Sequence, residues 1–180
     1  MNILHVLSQF EVTGAEAYAA TLVEQQAKRG HTLFVVSDTL TLDFRATCIT
    51  VPIGQRSYRQ RLANVRWLVQ IIRQNDIQIV HAHSRAASWV GYFATLITDT
   101  PLISTVHGRQ HVHASSRMFN IYGRHILAVC ESIKNHLENE LGIAPEAITV
   151  VPNGIPSDLW TGKTPAAKKR VFGVPERSLV

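Results

Sequence analysis

Two short apolar runs, each ending in histidine and separated by one helix-length segment, constrain the fold of this chain more than any other feature. Ile77-Gln78-Ile79-Val80 is a compact run rich in β-branched residues that turns polar at His81-Ala82-His83-Ser84. Ser84 stands where a helix N-cap belongs, ahead of a segment over 85–98 whose apolar positions are Ala87, Val90, Ala94 and Leu96 or Ile97. Asp99-Thr100-Pro101 then breaks that helix. Leu102-Ile103-Ser104-Thr105-Val106 follows and runs into His107-Gly108. Strand, crossover helix, strand is a βαβ unit, and its two strands must lie parallel. Ligands of open parallel sheets bind outside the carboxyl ends of the strands, so His81, His83 and His107 fall on the edge where a site belongs.

The rest of the chain repeats the pattern. A strand over 2–7 leads through a polar turn ending at Gly14 into a helix over 15–29, with Ala15, Ala19, Leu22, Val23 and Ala27 at helical spacing and Lys28-Arg29-Gly30 closing it. Such a loop leaves backbone N–H groups at a helix amino end, where the macrodipole favours a phosphate. Further strands are expected over 32–37, 47–51, 126–129 and 148–151. Helices are expected over 59–75, 131–141 and, briefly, 117–122. In the helix over 59–75, Leu62, Val65, Leu68, Val69 and Ile72 form an apolar face, while Arg59, Arg66 and Arg73 line one exposed stripe. The alternation predicts a three-layer, Rossmann-like α/β domain whose mainly parallel, seven-stranded sheet has the order 3-2-1-4-5-6-7.

A hydrophobic content of 46% supplies a core for one domain, and the longest apolar stretch falls far short of the ~18 residues a membrane span requires. The amino terminus enters a strand without a basic leader. Cys48 and Cys130 lack metal-ligand or redox spacing and read as buried, reduced thiols. The net charge of +5 favours anionic partners: a nucleotide, a phosphorylated substrate or an anionic membrane surface. Nucleic acid is the least supported, because no basic stripe interleaved with aromatics is present. A domain over 1–160 is expected to end in a connector rich in Ala, Pro and Lys. The apolar run starting near Val180 then reads as the beginning of a second domain.

Six short motifs, in order, resemble the amino-terminal domain of a GT-B-fold glycosyltransferase of the retaining family 4. They are Ile3-Leu4-His5-Val6, Thr13-Gly14-Ala15-Glu16, Val80-His81-Ala82-His83-Ser84, Thr105-Val106-His107-Gly108, Ala128-Val129-Cys130-Glu131-Ser132 and Val151-Pro152-Asn153-Gly154-Ile155. The resemblance implies an acceptor-side half of an enzyme that takes sugar from a nucleotide-diphosphate sugar, its donor substrate, with no cofactor and no metal. It implies that Gly14 approaches the donor diphosphate, with Thr13 standing where the family usually has a first glycine. It also implies that His107 faces the transferred sugar and that Asn153-Gly154 leads to the interdomain region, with Pro156 in place of the usual Asp. Thr13, Glu16, His83, Ser84, Gly108, Asn153 and Gly154 are then substrate-loop candidates. A glycan or lipid-linked acceptor, a role in envelope polysaccharide or lipopolysaccharide synthesis, and a cytoplasmic site peripheral to the inner membrane face follow from the same resemblance. A second domain would hold most nucleotide contacts, so the chain alone is expected to be inactive.

Blander readings stand beside these. His107 is otherwise a strand-end histidine satisfied by its neighbours, and one of His81 and His83 is more readily a buried, hydrogen-bonded ring than a reacting group. Glu16 is an ordinary first-turn carboxylate favoured by the helix dipole. A metal cluster drawn from His81, His83, His107, His111 and His113 lacks a carboxylate or cysteine at ligand spacing. A serine hydrolase lacks its Gly-x-Ser-x-Gly elbow and a nicotinamide dehydrogenase its Gly-x-Gly-x-x-Gly loop. The competing class is non-enzymatic: a module that binds a glycan or lipid head group.

Overall fold

The computed structural model describes residues 1–8, 14–39, 45–55, 57–109 and 120–154. Its strands are β1 (Asn2–Val6), β2 (Thr32–Ser37), β3 (Thr47–Thr50), β4 (Ile79–Ala82), β5 (Leu102–Val106), β6 (His125–Ala128) and β7 (Ile148–Val150). Its helices are α1 (Gly14–Lys28), α2 (Tyr58–Gln74), α3 (Arg85–Thr98) and α4 (Glu131–Asn139). The strands form one seven-stranded sheet in the order β3-β2-β1-β4-β5-β6-β7. Every pairing is parallel. The expected Rossmann-like α/β architecture and strand order are both present.

Two crossovers running in opposite directions from the centre of such a sheet place their helices on opposite faces, because each is right-handed. β1 is the point where the direction reverses. On one face, Ile3, Leu7, Leu33 and Val35 pack with Ala19 and Val23 of α1. On the other, Leu4, Val6, Phe34, Val36, Val80 and Ala82 pack with Val65, Leu68 and Ile72 of α2 and Ala87, Val90 and Ala94 of α3. Val106, Ile126 and Ala128 continue that second face against Ile133 and Leu137 of α4. Trp89 bridges the two apolar clusters and carries the Arg61 guanidinium 5.3 Å above its ring.

The helix ends follow their local chemistry. The Ser84 hydroxyl accepts the Ala87 N–H at 3.2 Å, which satisfies one of the free donors at the start of α3. Asp99 ends the helix in the left-handed region at φ 54°. Gly30 closes the turn after α1 at φ 83°, a conformation glycine adopts without steric cost.

Some expectations fail where periodicity fixes a face but not what covers it. Leu62 is 62% exposed and belongs to the solvent side of α2, and its place in the core is taken by Ile71 and Asn64. Leu96 and Ile97 are exposed in the last turn of α3. Cys48, on the edge strand β3, and Cys130, the residue before α4, are free but exposed rather than buried. Residues 117–119 of the expected short helix lie outside the described residues, and 120–122 end in a turn. The connector and the domain boundary near residue 160 also lie outside them. Among the described residues no helix is long and apolar enough to cross a membrane.

Candidate functional site at the carboxyl edge of the sheet

Parallel register sets which side chains can meet. His5 of β1 lies opposite His81 of β4, so the two rings project from the same face of the sheet. His83, two residues beyond His81, shares that face by the strand period of two. The expected polar strand tip is corrected here: His81 is inside β4, and both it and His83 are buried. The blander reading therefore describes His81, whose Nε2 lies 2.7 Å from the Thr105 hydroxyl on the neighbouring strand.

His5, in sequence only a residue of the first strand, is the centre of the group. Its Nε2 lies 2.8 Å from the Gln26 amide oxygen on α1, and its Nδ1 lies 3.0 Å from His83 Nε2. The His81 and His83 rings are 4.2 Å apart, and each lies 5.3 Å from the His5 ring. Burial holds His5 down to a pKa of about 4, against the hydrogen bond to Gln26. Burial likewise holds His81 and His83 well below the ordinary imidazole range, and neighbouring histidines add to the effect. Three uncharged rings thus form a packed polar layer between the sheet and α1.

Each of His5, His81 and His83 offers a ring nitrogen within 4.8 Å of the others, a spacing a transition metal could bridge. The donor set does not favour one. His5 Nδ1 and His83 Nε2 are bonded to each other, while the second nitrogen of His5 and Nε2 of His81 are engaged by Gln26 and Thr105. Those four nitrogens are already engaged in hydrogen bonds, while His83 Nδ1 is buried without a partner among the described residues. His111 and His113 lie outside the described residues.

His107 follows β5 directly and extends the layer outward. Its ring stacks 6.0 Å from His83 and meets the edge of the Tyr18 ring at 5.1 Å. Burial lowers its pKa, and the carboxylate of Glu16, in the first turn of α1, opposes that shift. Both ring nitrogens are shielded and have no hydrogen-bond partner among the described residues. Two unpartnered nitrogens on one shielded ring are uncommon in a folded protein and call for an explanation. His83, Ser84, Arg85, Thr105, His107 and Gly108 line one cavity of about 260 Å³ at this edge. A larger cavity of about 590 Å³ sits where β5 and β6 begin, the opposite end of the sheet. The smaller one is the better site, because parallel sheets bind ligands at the carboxyl end and the unsatisfied groups gather there.

Gly14 opens α1, and a Cβ there would meet no described atom within 4 Å; the same holds for Gly108. Neither adopts the left-handed conformation that explains Gly30. The structure therefore brings Glu16, His83, Ser84, His107 and Gly108 together, with Gly14 two residues ahead of Glu16 on the same helix end. Asn153 and Gly154 are exposed beyond β7, and no described contact joins them to the cavity. Thr13 lies outside the described residues.

The model of Glycosyltransferase Family 4 matches residues 12–159. The chain belongs to that family. No curated protein sequence matches it. A glycosyltransferase from Rickettsia africae superposes with a TM-score of 0.84 at 24% identity, over 98% of this chain and 50% of its own. Anabaena HepE, in complex with UDP and glucose, superposes at 0.76 with 17% identity, over 96% of this chain and 50% of its own. The apo lipopolysaccharide outer core galactosyltransferase WaaB superposes at 0.65 with 15% identity, over 86% and 46%. At these identities the likeness is one of fold. The chain spans about half the length of these proteins. The family domain occupies the half of a GT-B fold expected from the sequence, and its membership does not favour the non-enzymatic module.

Proposed function

We propose that this family 4 domain is the acceptor-side half of a retaining glycosyltransferase that moves a sugar from a nucleotide diphosphate to a glycan or lipid-linked acceptor. The observation that carries the reading is His107: a strand-end ring with two shielded, unpartnered nitrogens beside Glu16 and Tyr18, at the carboxyl edge of a parallel sheet. In this role the His107 ring hydrogen-bonds the transferred sugar near the reacting carbon. The amino end of α1, where Gly14 leaves room, supplies backbone N–H groups and dipole charge to the donor diphosphate. Thr13, Glu16, Ser84 and Gly108 shape the acceptor side, and Asn153-Gly154 leads to the partner domain. The chemistry requires both halves closed around the reactants, because orientation supplies much of the rate. The chain by itself is therefore inactive, and no cofactor or metal takes part.

The likeness to WaaB supports an acceptor in the cell envelope, and the exposed basic stripe of α2 supports a peripheral place at the cytoplasmic face of the inner membrane. Calorimetric titration of the intact protein with a panel of uridine, guanosine and adenosine diphosphate sugars tests the reading. Binding of one class, with transfer to a lipid-linked acceptor, is expected. Binding of free glycans with no nucleotide sugar bound would replace the transferase with the glycan-binding module.

A further inference from the structure

Gln26, His5 and His83 form a chain whose ends are chemically different. The Gln26 amide oxygen only accepts, so the Nε2 of His5 that faces it at 2.8 Å carries the proton. A neutral imidazole has one protonated nitrogen, which leaves His5 Nδ1 as an acceptor. The partner at 3.0 Å, His83 Nε2, must then be the donor. By the same count His83 Nδ1 is bare. That nitrogen is buried and has no partner among the described residues, and His83 lines the carboxyl-edge cavity beside His107. A buried lone pair without a donor keeps an unmet desolvation cost unless something arrives to satisfy it. A water or a bound hydroxyl meets that need, and the hydroxyl-rich substrate of a family 4 cleft supplies the second.

We propose that His83 Nδ1 accepts a hydrogen bond from a hydroxyl of the sugar bound in the cavity. Gln26 and His5 are positioning residues that lock His83 in the tautomer able to do so. This rests on the transferase reading for the identity of the ligand, and on the hydrogen-bonded chain for the state of the ring. The relay explains why a glutamine more than two turns into α1, away from the sheet edge, bears on a site it does not touch. It also assigns His83 a role distinct from that of His107: an acceptor that selects a hydroxyl at one position and rejects the sugar that lacks it. The analogue without the hydroxyl forfeits that bond and leaves the buried nitrogen unpaired.

Nuclear magnetic resonance of isotope-labelled histidine nitrogens in the intact protein separates the two parts of the claim. Before any ligand is added, His83 is expected to carry its proton on Nε2 alone, and in Gln26→Leu to become a mixture of tautomers. Gln26→Glu, which still accepts from His5, is expected to restore the single form at a pH high enough to keep His5 uncharged. A proton on His83 Nδ1 in the wild type overturns the proposal and leaves the transferase reading standing. UDP-glucose, UDP-galactose and their analogues lacking one sugar hydroxyl are then titrated. One parent sugar is expected to shift the Nδ1 resonance, and one deoxy analogue is expected to bind about fivefold to tenfold more weakly without that shift. In His83→Gln, which keeps a donor toward His5 but has no acceptor at the Nδ1 position, parent and analogue are expected to bind alike. A parent sugar that binds without moving His83, or a deoxy penalty retained in His83→Gln, overturns the proposal alone. Failure of every uridine, guanosine and adenosine diphosphate sugar to bind removes the transferase reading and the hydroxyl partner with it.

Discussion

The two faces of the sheet are built from the same strands and do opposite things. β4 carries both on alternate residues: Val80 and Ala82 pack into the apolar layer of α2 and α3, while His81 and His83 enter the polar layer beneath α1. β1 divides in the same way, with Leu4 and Val6 on one side and His5 on the other. The α2–α3 side is a continuous hydrocarbon interior whose few polar groups are paired locally, such as Asn64, which donates to the Pro52 carbonyl at 2.7 Å. The α1 side holds four imidazoles, and bare nitrogens remain on the outer two. Hydrophobic burial is non-directional and stabilises wherever it occurs, whereas a buried polar group stabilises only when matched. The α2–α3 face is therefore built for stability, while the α1 face adds to its own apolar cluster the unmatched nitrogens that the proposed chemistry needs, and substitutions should separate the two.

The largest effect is expected on the apolar face. Leu68 is fully buried at the centre of α2's packing surface, so Leu68→Ala removes its methyl groups and leaves a cavity, costing about 3–5 kcal/mol of folding stability. Chemical denaturation measures the loss, and nucleotide-sugar affinity at low temperature should be unchanged in the molecules that remain folded. A cost below about 1 kcal/mol would show that this face is not the stability element.

His107→Ala should do the reverse. It removes a ring whose nitrogens have no described partner and leaves only its packing on Tyr18 and His83 to lose, so denaturation should change by about 1 kcal/mol at most. Transfer by the intact enzyme should fall about 100- to 1,000-fold, the loss typical when one preorganised hydrogen-bonding group at a reacting centre is removed. Equal loss of stability and activity would place His107 among the structural residues and erase the division.

How much of this could be read without coordinates follows from the same division. Alternation within β4 put His81 and His83 on one face, and the strand–helix repeat with right-handed crossovers led to the sheet order. His5 was not legible as a member of the site, because its bond to His83 spans 78 positions and depends on the register between β1 and β4. Histidine also misled at the strand boundary: counted as polar it ended β4 at Val80, yet a partner such as Thr105 lets it sit inside the sheet. Leu62, Leu96 and Ile97 fit the helical spacing of a core, but spacing cannot reveal that nothing among the described residues covers them. The unpaired nitrogens of His83 and His107 leave no trace in composition or period, because satisfaction is a property of neighbours.

Acid should weaken the protein through the polar face. The folded-state pKa of His5 is about 4, below the unfolded value of 6.5, and those of His81 and His83 are shifted the same way. Above pH 6.5 both states hold these rings neutral and stability is full. As pH falls through 6.5 toward about 4 the unfolded chain takes up protons that the folded chain cannot, so stability declines. His5 alone accounts for about 3 kcal/mol over that window. Unfolding followed from about pH 7.5 to about pH 4.5 should show the decline, and His5→Phe should make it shallower. A profile as steep in the variant as in the wild type would mean that carboxylates, not the histidine layer, set the acid limit.

The smallest effect per residue tests whether the apolar side is purely structural. Arg59, Arg66 and Arg73 are exposed on the outer surface of α2, and since seven residues of helix advance by nearly two full turns they drift only about 20° per step. The exposure of Leu62 and of Trp67, which is 46% accessible, adds apolar groups to that outer surface. Basic residues near an anionic surface contribute about 1 kcal/mol each, so three of them with two shallowly inserted side chains suffice for weak, salt-sensitive attachment. An ordinary solvated face makes no such attachment. Co-sedimentation with anionic liposomes, at low and high salt, compares the wild type with the Arg59→Glu, Arg66→Glu, Arg73→Glu triple variant. Binding by the wild type at low salt, lost in the variant and in high salt, would give the α2 side a second task and place the acceptor's membrane against it. Equal binding by both proteins, or none by the wild type, would leave α2 with packing alone. Neither result would alter the roles proposed for His107 and His83 at the carboxyl edge of the sheet, because Arg59, Arg66 and Arg73 do not line that cavity.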